Sequence, residues 1–192
     1  DGRFAQTFTT SIFTYQHFLY SHYYLHSLLL LLFNFLSIFS IVNVLHKFIL
    51  KEKQSFLKRL LLSFLLLALE ISCLPQCSTF MFWFSSAVTY QLPVILVQFE
   101  IALVIFLFNS NKKSLQNIYT VAVSLLVFIS IGLNEFFLVA QLFLLCSIFY
   151  FKWYKHTGFF MPLFILAFLL SSCLLIFAPG NQVRMSDIDT KG

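Results

Sequence analysis

Residues 27–50 read SLLLLLFNFLSIFSIVNVLHKFIL, and residues 51–59 behind them read KEKQSFLKR. As a helix rising 1.5 Å per residue, the first stretch spans about 36 Å, more than the ~30 Å hydrocarbon core of a bilayer. It is too long and too uniformly apolar for a strand and shows no period-2 alternation. A membrane β-barrel is thereby excluded and a transmembrane helix predicted. Lys47, Lys51, Lys53, Lys58 and Arg59 then mark the end of this helix that meets water.

Outward from this run the pattern repeats. Apolar stretches over 60–80, 92–108, 118–132, 136–151 and 159–177 give five further spans. Pro75 is expected to end the regular part of the second near Leu74, because proline lacks an N–H and crowds the preceding turn. The expected fold class is all-α: a polytopic transmembrane helix bundle of about six spans, forming one transmembrane domain over 1–192. Residues 1–26 are expected to be an outer interfacial segment and 178–192 an outer loop. The chain opens at Asp1-Gly2-Arg3 without an initiator Met and closes on a polar stretch at 185–192, the layout expected of an internal fragment of a longer protein. No cleavable signal peptide is expected, since aromatic and polar residues fill the chain ahead of the first apolar run.

Hydrophobic residues make up 60% of the chain and charged residues 10%, too little polar surface for a soluble domain of this length. The net charge of +5 does not point to nucleic acid, because the basic residues are dispersed through short loops. Lys47 to Arg59 flank the first turn, Lys112 and Lys113 the second, and Lys152 and Lys155 the third; Arg3, Arg184 and Lys191 fall on the other side. The positive-inside rule makes the basic loops cytoplasmic and predicts a multi-pass inner-membrane protein. Both ends, the 75–91 loop and the 133–135 turn are then extracytoplasmic. The fourth and fifth stretches, at 15 or 16 residues, would each cover only about 23 Å. Their shared turn is therefore expected below the outer surface, in a depression open to water.

Several polar groups carry two readings. Tyr15, His17, Tyr20, His22, Tyr23, Tyr24 and His26 form an aromatic–imidazole cluster in which His22 and His26 have i, i+4 spacing. This fits either convergent metal ligands or an interfacial aromatic belt. Cys73 and Cys77 are spaced for a disulfide or for ordinary small-residue packing. Glu70 and Glu100 lie inside spans, with Asn34, Asn43 and Gln98 also at membrane depth. They serve either a translocation path or helix–helix hydrogen bonding. In the loop 83–93, Trp83 and Tyr90 offer flat faces to a sugar or lipid headgroup, or simply anchor the interface. Asn134-Glu135 supplies a sunken carboxylate that can act as general base or cap the next helix. Ala178-Pro179-Gly180-Asn181 stops a helix, and Arg184 beyond it is placed to meet a phosphate.

Gly2-Arg3, the Trp83…Ala87-Val88-Thr89-Tyr90…Leu92-Pro93 stretch, Asn134-Glu135 and Ala178-Pro179-Gly180-Asn181…Arg184 form an ordered series along nearly the whole chain. On these motifs the chain resembles the DUF6056 family of bacterial multi-pass membrane proteins, with Ser86 standing where the family pattern has Gly. That family is similar to the GT-C glycosyltransferases, polytopic enzymes that use polyprenyl-phosphate-linked sugars at the extracytoplasmic face. The acidic signature of GT-C enzymes falls in their first outer loop, upstream of the region this chain covers. The resemblance implies a lipid-linked-sugar glycosyltransferase of cell-envelope glycan assembly. Arg3 and Arg184 would hold the donor phosphate, with Asn134 and Asn181 beside the substrate. Trp83 and Tyr90 would stack on sugar or isoprenoid, and Glu135, or an acid upstream of Asp1, would take the acceptor's proton. The expected partners are membrane lipid and a polyprenyl-phosphate sugar donor, with no nucleic acid. No metal ligand set and no cofactor are expected, a divalent metal being left open. Two other classes compete: a glycolipid or solute transporter with Glu70 and Glu100 in its path, and a non-catalytic scaffold of an envelope-polysaccharide complex.

Overall fold

The computed structural model describes residues 4–14, 23–51, 55–74, 84–150 and 159–177. Among the described residues every regular element is helical. In chain order these are α1 (Phe4–Thr14), α2 (Tyr23–Val44), α3 (Phe56–Cys73), α4 (Leu92–Asn109), α5 (Lys113–Leu133), α6 (Phe137–Tyr150) and α7 (Phe160–Ile176). Among them, three continuous helices are long and apolar enough to cross a membrane: Leu25–Leu50, Ala87–Asn109 and Lys113–Leu133. The α6 and α7 helices are apolar but shorter.

Local chemistry sets the ends. The α2 helix runs on into a π-helical stretch, Leu45–Leu50, and stops where Lys51 turns left-handed at φ 54°. The α3 helix begins on Ser55, whose hydroxyl accepts the Lys58 N–H at 3.4 Å. It stops at Leu74, which takes extended backbone (ψ 123°). Leu74 directly precedes Pro75, and a residue before proline is driven out of the α region; this is the stop the sequence predicts. Because the helix starts at Phe56 rather than at 60, Lys58 and Arg59 belong to its first turn.

Two stretches differ from expectation. The fourth predicted span, 118–132, is the central part of a longer helix, Lys113–Leu133. The polar residues Ser114, Gln116 and Asn117 extend it, with the Gln116 side chain closing back on the Ser110 carbonyl at 2.7 Å. At about 31 Å this helix matches the hydrocarbon thickness, so the short-span argument does not hold for it. Second, residues 84–91 are not a loop: Phe84–Ser86 form one α-turn and Ala87–Gln91 a π-helical turn continuous with α4.

The helices pack in a chain of neighbours: α3 on α2, α2 on α4, α4 on α5, and α5 on α7. The largest core joins Val104 and Leu107 of α4, Val123, Val127 and Ile131 of α5, Ile148 of α6, and Phe160 and Phe164 of α7. The four-residue steps along α5 are one ridge of a helix set into its neighbours' grooves. Ser171 of α7 adds a hydrogen bond across to the Phe128 carbonyl at 3.0 Å. Outward faces carry the opposite of a soluble surface: Leu28, Leu32, Leu65, Leu69, Val121, Leu125, Phe143, Leu166 and Leu170 are all exposed. Stripes of this kind fit a lipid environment.

In the first 26 residues, α1 packs on α5 and on the turn before α4. The Phe4 ring meets Phe128 at 5.2 Å between centroids. Close approach depends on Gly132, where a Cβ would fall 2.5 Å from the Phe4 ring and 3.0 Å from the Ala5 Cβ.

Candidate functional site

Polar side chains in the helix interiors collect on the two faces of α4. Gln91 and Gln98 are seven residues apart, nearly two turns, so they share a face; Glu100 projects about 200° round the axis from Gln98.

On the first face lies Glu70 of α3, half-buried. Its carboxylate accepts from Asn34 Nδ2 at 3.1 Å and Gln91 Nε2 at 3.0 Å on one oxygen, and from Gln98 Nε2 at 3.1 Å on the other. Ser37, one turn along α2 from Asn34, donates to the Asn34 carbonyl at 2.8 Å and also meets Gln98 Oε1. Three helices thus converge on a single carboxylate through uncharged amides.

On the second face Glu100 is fully buried. Its Oε2 accepts from Gln141 Nε2 of α6 at 2.6 Å. The same amide nitrogen donates to Ser130 Oγ of α5 at 2.9 Å, and Ser130 donates to the Val127 carbonyl at 3.1 Å. Glu100 Oε1 and Gln141 Oε1 are buried with no hydrogen-bond partner.

A third contact ties two of the sequence motifs together. Asn134 adopts extended backbone after α5, and its Oδ1 accepts the Phe136 N–H at 3.1 Å. Its carbonyl accepts the Phe137 N–H at 3.0 Å, so Asn134 caps α6 as its residue type favours. Its Nδ2 reaches across to the Thr89 carbonyl at 3.1 Å. Pro93 is the cause. Proline has no N–H to give the carbonyl four residues back, Thr89, and its ring pushes that turn open. The Leu92 N–H instead bonds Ala87, five residues back, which is the π-helical step. The Thr89 carbonyl meets Asn134 in place of a proline donor.

Opposite this end are the basic residues. Arg59 Nη1 donates to Asn43 Oδ1 at 2.6 Å, while Arg59 Nε and His46 Nδ1 are buried without partners. Lys47 sits 4.9 Å from the centre of the Phe48 ring.

Of the residues singled out by sequence, Tyr90 is exposed at 39% on the opened turn. Asn134 is buried and Glu135 half-buried beside it. Arg3, Trp83, Asn181 and Arg184 lie outside the described residues, as do His17, His22 and Cys77. His26 packs edge-on to Phe84 with ring centres 5.5 Å apart, and Cys73 is an exposed free thiol. Among the described residues no three His, Cys, Asp or Glu side chains cluster as metal ligands. Sequence reasoning passed over Ser37, Ser130 and Gln141. A lone amide inside the apolar run Phe137–Tyr150 is the signal that identifies Gln141, since an unsatisfied amide at that depth is costly. No family model matches the chain, and no curated protein or solved structure is similar to it.

Proposed function

We propose that this chain is part of a multi-pass protein of the bacterial inner membrane, with six spans in a GT-C-like bundle. It acts at the end of the bundle that holds Tyr90, Asn134 and Glu135. The observation that carries this reading is the Asn134–Thr89 hydrogen bond. It brings the opened turn before α4 and the Asn134-Glu135 turn together at the end away from the basic residues. In keeping with the DUF6056 resemblance, the substrate is a polyprenyl-phosphate-linked sugar. In the transfer, the acceptor hydroxyl attacks the anomeric carbon and loses its proton to the Glu135 carboxylate. The bond from that carbon to the phosphate oxygen breaks, and the polyprenyl phosphate leaves with the electron pair. Arg184 and Arg3 hold that phosphate through charge-assisted hydrogen bonds, while Tyr90 and Trp83 stack on sugar or isoprenoid.

Glu135→Gln and Arg184→Ala test the assignment separately, with surface glycans and membrane protein level measured in the same cells. Loss of glycan in both at normal protein level supports it. Unaltered glycan in both overturns these residue roles.

A second reading, a glycolipid or solute transporter, is favoured by a different observation: two carboxylates lie inside the bundle on either side of α4. It predicts that Glu100→Gln abolishes transport while Glu135→Gln leaves it intact.

A further inference from the structure

The Glu100 network has a composition that the outer-end reading does not use. Glu100, Gln141 and Ser130 are each 0% exposed, and they come from α4, α6 and α5. Among the described residues Glu100 makes no ion pair, and Gln141 Nε2 is the donor to its carboxylate. Both Glu100 Oε1 and Gln141 Oε1 end buried without a hydrogen-bond partner, so two acceptor oxygens are left over on side chains joined by that 2.6 Å bond. Ser130 Oγ accepts from the same Gln141 amide nitrogen at 2.9 Å. Leftover donors would call for an anion or a carbonyl. Leftover acceptors around one carboxylate call for something positive.

We propose that Glu100, Gln141 and Ser130 form a buried binding site for a monovalent cation of the sodium type. Carboxylate, amide and hydroxyl oxygens are the ligands hard cations take. A single carboxylate balances a single positive charge, whereas a divalent ion would leave one unit of charge uncompensated inside the helices. Soft-metal chemistry does not fit, since among the described residues no Cys or His joins this oxygen set. The ion would link α4, α5 and α6, and α6 otherwise touches its neighbours lightly. This site is independent of the Asn134–Glu135 reading and stands or falls without it.

The test uses the full protein in detergent and radioactive sodium binding, with lithium, potassium and choline chlorides as competitors at fixed ionic strength. Saturable sodium binding is expected, displaced by lithium and not by choline. Glu100→Gln should abolish it, Gln141→Ala and Ser130→Ala should weaken it at least tenfold, and Glu70→Gln should leave it unchanged. Melting temperature should rise with sodium concentration in the wild type and in Glu70→Gln, need higher sodium to rise in Gln141→Ala and Ser130→Ala, and stay flat in Glu100→Gln. Should Glu100→Gln fail to fold, Gln141→Ala and Ser130→Ala carry the same comparison. Wild-type protein that binds no sodium and melts identically in sodium and choline would overturn the site, leaving a proton as the counter-charge. Sodium binding that survives all three substitutions would also overturn it.

Discussion

The two carboxylates beside α4 are held in opposite ways. Glu70 receives three amide hydrogens from Asn34, Gln91 and Gln98 and is half-buried. Glu100 receives one, from Gln141, and is fully buried with its other oxygen unpartnered. The first arrangement is shared: α2, α3 and α4 are fastened by three hydrogen bonds to one carboxylate, two on one oxygen and one on the other. The second is concentrated, and everything passes through one amide. A saturated carboxylate behaves as structural glue between helices, while an undersatisfied one keeps capacity for a ligand. The same residue type, on two faces of one helix, therefore carries different expectations.

The sharpest way to break this contrast is Gln141→Ala. It removes the hydrogen bond to a fully buried carboxylate, an interaction worth about 1.5–3 kcal/mol, and should lower unfolding stability in detergent by about that amount. A loss below about 0.5 kcal/mol would mean that Glu100 finds another partner and that the two faces are not different in kind.

Next comes Asn134→Ala, which removes both the cap of α6 and the link to Thr89. A cost of about 1–2 kcal/mol is expected from the lost cap and bond. The cost should shrink when Pro93→Ala is already present, because alanine restores an N–H for the Thr89 carbonyl. Stability measured in a double-mutant cycle reads this coupling, and additive costs would remove Pro93 as the cause of the opened turn.

Gly132→Ala sets two effects against each other. Alanine favours the helix over glycine by about 0.5–1 kcal/mol, while the clash with Phe4 and Ala5 costs about 1–3 kcal/mol. A net loss of roughly 1 kcal/mol is expected, with protease sensitivity rising around α1 and little change elsewhere. Faster cleavage throughout the bundle would show that α1 is not a separable layer.

The smallest effect belongs to Gln98→Ala. Two donors to Glu70 remain, both on its other oxygen, and a single interhelical hydrogen bond in a membrane is worth about 0.6 kcal/mol. Unfolding should therefore move little. A loss equal to that of Gln141→Ala would erase the distinction between the shared and the concentrated network.

Much of the architecture was legible beforehand for a simple reason. Runs such as 27–50 leave the backbone no partners except its own, so a helix is the outcome wherever the run is placed in lipid. The stop before Pro75 is equally local. The departures from expectation are of a different kind. Residues 84–91 looked like a loop because small polar residues and Pro93 usually mark one, yet the chain keeps its helical path by opening one turn. The extension of α5 to Lys113 was missed because its first turn is polar rather than apolar. Of the site, Asn134 and Glu135 were singled out by their residue types, but Gln141 was not, since its importance lies in what it faces.

The sequence by itself therefore determined that the apolar runs are helical and that α3 stops before Pro75, both of which follow from composition and short-range backbone chemistry. Only the tertiary structure decided that Glu70 is shared among Asn34, Gln91 and Gln98, while Glu100 depends on Gln141. Hydrogen bonds between helices join residues dozens of positions apart, and which amide meets which carboxylate is fixed by how the helices rotate and pack, a quantity no local pattern contains.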